Sequence, residues 1–175
     1  MAVSSSPQPL AETRAPLPLV HSWLHLVQAE VEGALTQMLE LPDEARLDAR
    51  WTEALGQVRT YALRPAKRLR PALVVAGYSL ARDDGHVPPG LWRFAAGLEL
   101  LHTFLLIHDD VADRADLRRG GPALHRMLAP GRTGEDLAVV LGDHLFARSL
   151  EVMLSSGRRA HSRSSSARCA GPART

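Results

Sequence analysis

The sequence predicts an all-α protein of about six helices with no sheet. Three observations carry this. Apolar residues recur at three- and four-residue spacing along most of the chain. No segment alternates apolar and polar residues between turn signals, as a half-buried strand would. Clusters of Pro, Gly and Asp divide the periodic stretches at helix-like lengths. With hydrophobic residues at 45% and aromatics at only 5%, the expected core is built from Leu, Val and Ala. A chain of 175 residues is long enough to bury one such core.

Each helix has its own signature. Val20, Trp23, Leu24, Val27, Val31, Leu35 and Met38 form one stripe, ended by Pro42. Leu47, Trp51, Leu55, Val58 and Ala62 form a second, ended by Pro65. "RPALVVAGYSLAR" reads as a third helix with Pro71 in its first turn, and "DDGHVPPG" as a loop. The long apolar stretch from Leu91 predicts a helix reaching Asp116, broken by Gly120, Gly121 and Pro122. "PALHRMLA" predicts a short helix, and Thr133 is the expected N-cap of a last one ending near Leu154. Residues 1–16 form an expected disordered lead-in, 17–154 the folded part, and 155–175 a disordered basic tail. Apolar periodicity stops abruptly at Leu154. The tail can be read as a nucleic-acid-seeking arm, as an ordinary disordered end, or as a shifted reading frame.

Composition excludes several classes. A net charge of +2 is too small to argue for nucleic acid. The single cysteine, Cys169, rules out an internal disulfide and a cysteine-based zinc site, so a cytoplasmic location is expected. "MAVSSSPQPL" lacks the basic and apolar regions of a secretory signal, and no membrane span is expected. Twenty of the 21 basic residues are Arg, which makes the lone Lys67 conspicuous.

The informative stretch is "HDDVADRADLRRGGP", with Asp109, Asp110, Asp113 and Asp116 directly after an apolar run. On a helix, Asp109 and Asp113 lie one turn apart on one face. Like charges there cost about 0.2–0.5 kcal/mol per pair, and the dipole at a helix C-terminus adds to the penalty. A divalent cation reverses both terms, and Mg²⁺ takes one or two carboxylates plus substrate phosphates. The alternative is a solvated acidic end paired with Arg114, Arg118 and Arg119. A second cluster, "KRLRP", places Lys67, Arg68 and Arg70 at a helix start, where anions are favoured. His102 lies seven residues before Asp109, on the same face and about 10 Å away. Together these groups suggest two diphosphates, one held through Mg²⁺ and the other by cationic side chains.

The stretches "KRLRP", "ELLHTFLLIHDDVADRADLRRGGPALH" and "LGDHLFARSLE", in that order, resemble the trans-isoprenyl diphosphate synthases, or polyprenyl synthetases. The resemblance covers roughly Val20 to Leu154 and implies the N-terminal part of the all-α isoprenoid synthase fold. It further implies a prenyltransferase that condenses isopentenyl diphosphate head to tail with an allylic diphosphate, with Mg²⁺ as cofactor. The aspartate-rich motif would be Asp109, Asp110 and Asp113, with Asp109 and Asp113 as metal ligands. Arg118 would contact the allylic diphosphate, while Lys67, Arg70, His102 and Arg119 would bind that of isopentenyl diphosphate. Phe104, five positions before Asp109, would form the floor that limits product length, as in short-chain synthases resembling geranylgeranyl diphosphate synthase. A homodimer, or pairing with a full-length synthase, is the implied assembly.

Two departures stand out. Pro65-Ala66 replaces the Gly-Gly usual before the lysine, which removes backbone freedom where a loop approaches phosphate. A second aspartate-rich motif and the Lys-Thr pair before it do not occur, so a truncated chain, inactive alone, is the expectation. Two other readings are a non-catalytic regulatory or binding subunit that pairs with a full-length synthase, and a metal phosphohydrolase built on His108-Asp109. The second needs further His and Asp ligands that fall in no convincing order.

Overall fold

The computed structural model describes residues 17–40, 48–82 and 86–166; the expected lead-in and residues 167–175 lie outside them. The described residues form six helices in the order α1 (Leu17–Met38), α2 (Ala49–Ala62), α3 (Leu69–Leu80), α4 (Pro89–Ala112), α5 (Leu124–Leu128) and α6 (Gly131–Ser166). The all-α expectation holds. One small addition is an antiparallel ladder of two residues per strand, β1 (Leu117–Arg118) and β2 (Gly121–Pro122), in the register Leu117↔Pro122 and Arg118↔Gly121. Its two turn residues, Arg119 and Gly120, have φ of 50° and 74°. Two positive φ values in a two-residue loop make the tight turn whose twist matches a hairpin.

The apolar stripes become the core. Val27, Val31 and Leu35 of α1, Val58 and Tyr61 of α2 and Val75 of α3 are at most 1% exposed. They surround α4, which contributes Ala95, Ala96, Leu100 and Ile107, all fully buried. By length and composition α4 could cross a membrane, with a mean hydropathy of 1.3, a match that the sequence expectation of no span passes over. It packs against α1, α3, α5 and α6 and carries the buried charges Glu99 and Asp110, as a central bundle helix does. Helices α4 and α6 run antiparallel, from Gly90 beside Ser156 to His108 beside Gly142. Gly90 meets the Ser156 carbonyl, Gly97 meets Met153, and Gly142 meets the His108 ring. A Cβ on Gly97 or Gly142 would lie 2.8 Å from Met153 Cγ or 2.7 Å from His108 Nε2, so both glycines are spacers that let the helices close.

Three boundaries differ from the sequence expectation. Helix α4 stops at Ala112, leaving Asp116 off the helix. Arg114 takes φ 54°, its N–H bonds the Val111 carbonyl at 3.2 Å, and the Ala115 N–H bonds the Asp110 carbonyl at 2.9 Å. That paired closure is a Schellman motif, and it ends the helix before a third like charge joins it. Helix α6 begins at Gly131, so Thr133 lies inside the first turn rather than at the cap. At its other end α6 continues past Leu154 to Ser166. The serines there satisfy the helix instead of breaking it: Ser155 and Ser156 hydroxyls both donate to the Val152 carbonyl, at 3.0 and 2.6 Å. Ser156 is buried against the first turn of α4.

Candidate active site

The C-terminal end of α4, the start of α3 and the β1–β2 turn meet at one end of the bundle. Of the three motif aspartates, Asp110 turns inward and is fully buried. Tyr61 Oη of α2 donates to Asp110 Oδ2 at 2.8 Å. Arg118 of β1 donates to Asp110 Oδ1 through Nε at 2.7 Å and through its terminal nitrogen at 2.5 Å. Burial pushes the Tyr61 phenol well above its usual range, and donation to Asp110 pushes it further. The same carboxylate holds Arg118 more firmly protonated. Asp109 and Asp113 are exposed, and Asp113 caps the helix, its N–H bonding the Asp109 carbonyl at 2.8 Å.

A second buried carboxylate organises the basic residues. Glu99 Oε1 accepts from Arg68 at 2.8 Å and from Arg119 at 3.2 Å. Arg68 also donates to the Ala62 and Arg64 carbonyls, both at 3.1 Å, and lies 3.7 Å from Glu32. Arg68 is the left-handed N-cap of α3, with φ 48°. That conformation sends the Arg68 side chain inward and leaves Lys67 and Arg70 exposed. It also settles the departure noted above: the residue with positive φ in this loop is Arg68, so Pro65 and Ala66 sit where glycine freedom is not used. A non-glycine residue held at positive φ costs on the order of 1–3 kcal/mol and persists only where its surroundings fix it. Arg68 and Arg119 are both so held, and both are fixed by Glu99.

His102 lies half-buried one turn after Glu99. Burial lowers its proton affinity first, and Arg70, Arg119 and Arg118 lower it further, against a raising effect of Glu99. With its pKa below 6.5 the imidazole is mainly neutral at pH 7 and offers a single N–H donor. Burial likewise lowers the pKa of Arg119, opposed by Glu99. One Arg119 terminal nitrogen is buried with no hydrogen-bond partner among the described residues. Lys67, Arg70, Asp109 and Asp113 enter no ion pair among the described residues. The structure thus brings Arg70, Arg118 and Arg119 within electrostatic reach of His102, and Asp109 within reach of Arg118. Lys67 lies on the loop that leads into α3, its carbonyl accepting from Gln28 at 3.2 Å.

No group of three or more His, Cys, Asp or Glu side chains could hold a metal ion among the described residues. Two free carboxylates one helical turn apart still fit Mg²⁺, which fills its remaining positions with water and substrate phosphate. Asp110 is not free for that purpose. Phe104 is half-buried, its ring edge-on to His108 at 4.6 Å and tilted against Phe146 of α6 at 5.1 Å. The clefts lined by Glu30, Trp92 and Arg93, and by Met38, His144 and Arg148, include none of these residues.

The model of the family described as "Polyprenyl synthetase" matches residues 52–168, two-thirds of the chain and past Leu154, where the apolar periodicity stops. The chain belongs to the polyprenyl synthetase family. It is similar to the short chain isoprenyl diphosphate synthase of Methanocaldococcus jannaschii, at 40% identity over 98 residues, 54% of this chain and 27% of that protein. It is also similar to the geranylgeranyl diphosphate synthase of Methanosarcina mazei, at 34% identity over 128 residues, 71% of this chain and 34% of that one. The crystal structure of geranylgeranyl pyrophosphate synthase from Corynebacterium glutamicum, complexed with isoprenyl diphosphate and magnesium, superposes with a TM-score of 0.62. That match has 26% identity and covers 78% of this chain and 42% of the other. The chain therefore spans well under half the length of these relatives.

The sequence reading did not single out Tyr61, Arg64 and Glu99, and it grouped Arg68 with the anion-facing cations where the structure buries it on Glu99. Glu99 carried a readable signal, a lone carboxylate inside "FAAGLELLHTFLLI" at helical register with His102 and Asp110. A charge in such a stripe is buried only if paired. Tyr61 and Arg64 carried none, because their partners lie about fifty residues or more away in the chain.

Proposed function

We propose that this polyprenyl synthetase chain carries the diphosphate-binding part of a Mg²⁺-dependent prenyltransferase that joins isopentenyl diphosphate head to tail with an allylic diphosphate. One observation carries the reading: two buried carboxylates, Asp110 and Glu99, hold Arg118 and Arg119 in fixed positions beside the free pair Asp109 and Asp113. Arginines preset in this way bind oxyanions without reorganising at the moment of reaction. Asp109 and Asp113 would hold Mg²⁺, and Arg118 would hold the allylic diphosphate beside them. When bound, Mg²⁺ neutralises the charge that develops on the departing pyrophosphate. Lys67, Arg70, Arg119 and neutral His102 would hold the second diphosphate. Phe104, against Phe146, would limit the prenyl chain, which the resemblance to geranylgeranyl diphosphate synthases supports.

On this reading the 175-residue chain binds diphosphate through its one aspartate-rich motif and does not turn over alone. A homodimer, or a complex with a full-length synthase, would complete the site. The test is calorimetric titration with inorganic pyrophosphate, with and without Mg²⁺, beside a condensation assay with isopentenyl and geranyl diphosphates. Mg²⁺-dependent binding without product supports the reading; no binding under either condition overturns it.

A further inference from the structure

We infer that Arg64 and Tyr61, at the C-terminal end of α2, are positioning residues that hold the β1–β2 turn, and with it Arg118 and Arg119, in the geometry that receives diphosphate. The inference rests on the reading proposed above. Arg64 has an unusual set of partners for a half-buried arginine: no carboxylate is among its bonds. One terminal nitrogen donates to the Arg118 carbonyl at 3.0 Å and to the Pro122 carbonyl at 2.7 Å, one bond to each strand of the ladder. Its other terminal nitrogen donates to Met127 Sδ at 3.0 Å, reaching α5 just beyond the turn. The guanidinium lies over the Tyr61 ring, 5.1 Å from its centroid, while the Tyr61 hydroxyl holds Asp110 and so Arg118.

A ladder of two residues per strand is too short to be rigid by itself. The Arg64 guanidinium ties its two strands to each other and to α2. The arginines on this turn then act as preset donors instead of flexible side chains on a mobile loop. Gly121 belongs to the same device. A Cβ built on Gly121 would lie 2.8 Å from Arg64 Cζ, so the missing side chain is the seat for the guanidinium. Gly121→Ala displaces only the tip of a flexible side chain and offers a mild way to release the clamp.

The experiment is titration of the full chain with inorganic pyrophosphate in Mg²⁺. Variants are Arg64→Met, Arg64→Lys and Gly121→Ala, each alone and the first also with Arg118→Ala. Arg64→Met and Gly121→Ala are expected to weaken binding about tenfold, the scale of about one lost hydrogen bond. Arg64→Lys, which reaches one carbonyl, recovers part of the loss. In the Arg118→Ala background Arg64→Met costs about threefold instead of tenfold, because one of the two arginines it positions is gone and Arg119 remains. Equal binding by wild type and the single variants overturns the inference and leaves the site reading intact. Fully additive losses also overturn it, since they assign Arg64 a general structural role. If wild type itself fails to bind pyrophosphate, the site reading and the inference fall together. Gly121→Ala keeps the test decisive should Arg64→Met not fold.

Discussion

Neutralising Glu99 should destabilise the fold more than any surface charge change, and the structure sets the size. Glu99 Oε1 is the shared acceptor of Arg68 and Arg119, whose side chains are 0% and 14% exposed. Glu99→Gln keeps the shape and the oxygen but removes the charge, leaving two buried guanidiniums without their counter-ion. Removing one partner of a buried pair costs about 3–5 kcal/mol. The lower end applies, because Gln still accepts hydrogen bonds and Glu32 remains 3.7 Å from Arg68. A loss of about 3 kcal/mol in a chain of this size lowers Tm by about 6–12 °C. Urea unfolding followed by circular dichroism measures it, with Glu32→Gln as the control. Glu32 is 44% exposed, so its loss should stay below about 1 kcal/mol. A Glu99→Gln cost under about 1 kcal/mol would refute the claim that this carboxylate holds the two arginines in a dry interior.

Two further outcomes follow from the site. His102 has a depressed folded pKa, so between that value and about 6.5 the unfolded chain binds more protons than the folded one. Its contribution to stability is complete above about pH 6.5 and declines as pH falls toward the folded value; a Tm profile from pH 7.5 to 5 should therefore be flatter in His102→Asn than in wild type. Arg114 occupies the left-handed position that closes α4, where glycine is favoured. Arg114→Gly should stabilise by about 1 kcal/mol, measured as a rise in Tm of about 2–4 °C.

The helices were legible because their signals are local. Stripes such as Val27, Val31 and Leu35, and breakers such as Pro65 and Pro88, lie within a few residues of what they determine. The ends of α4 and α6 were misplaced for a physical reason. An arginine at positive φ closes α4 where no glycine announced it, and α6 carries Ser155 and Ser156, their hydroxyls bonded back to Val152, past the point where apolar spacing had ended. At the site, the residue types and spacing pointed to the outward groups, Asp109, Asp113, Lys67 and Arg70. The inward groups that hold the site together, Tyr61, Arg64, Arg68 and Glu99, meet only in three dimensions. Asp110 shows the limit most clearly: one residue from Asp109 and of identical type, it faces Tyr61 and Arg118 instead of solvent. The α-helical step of about 100° per residue separates the two roles.

The most direct test of the account is the Mg²⁺-dependent binding of pyrophosphate by Asp109→Asn, Asp110→Asn and Asp113→Asn, each with its Tm. The account predicts that Asp109→Asn and Asp113→Asn keep or raise Tm and lose the Mg²⁺-dependent part of binding. Asp110→Asn should lower Tm by several degrees, because it takes the charge from the buried acceptor of Arg118 and Tyr61, and should weaken binding with or without Mg²⁺. Three variants with the same Tm and the same loss of Mg²⁺ dependence would contradict it, for the aspartates would then act as one set of metal ligands.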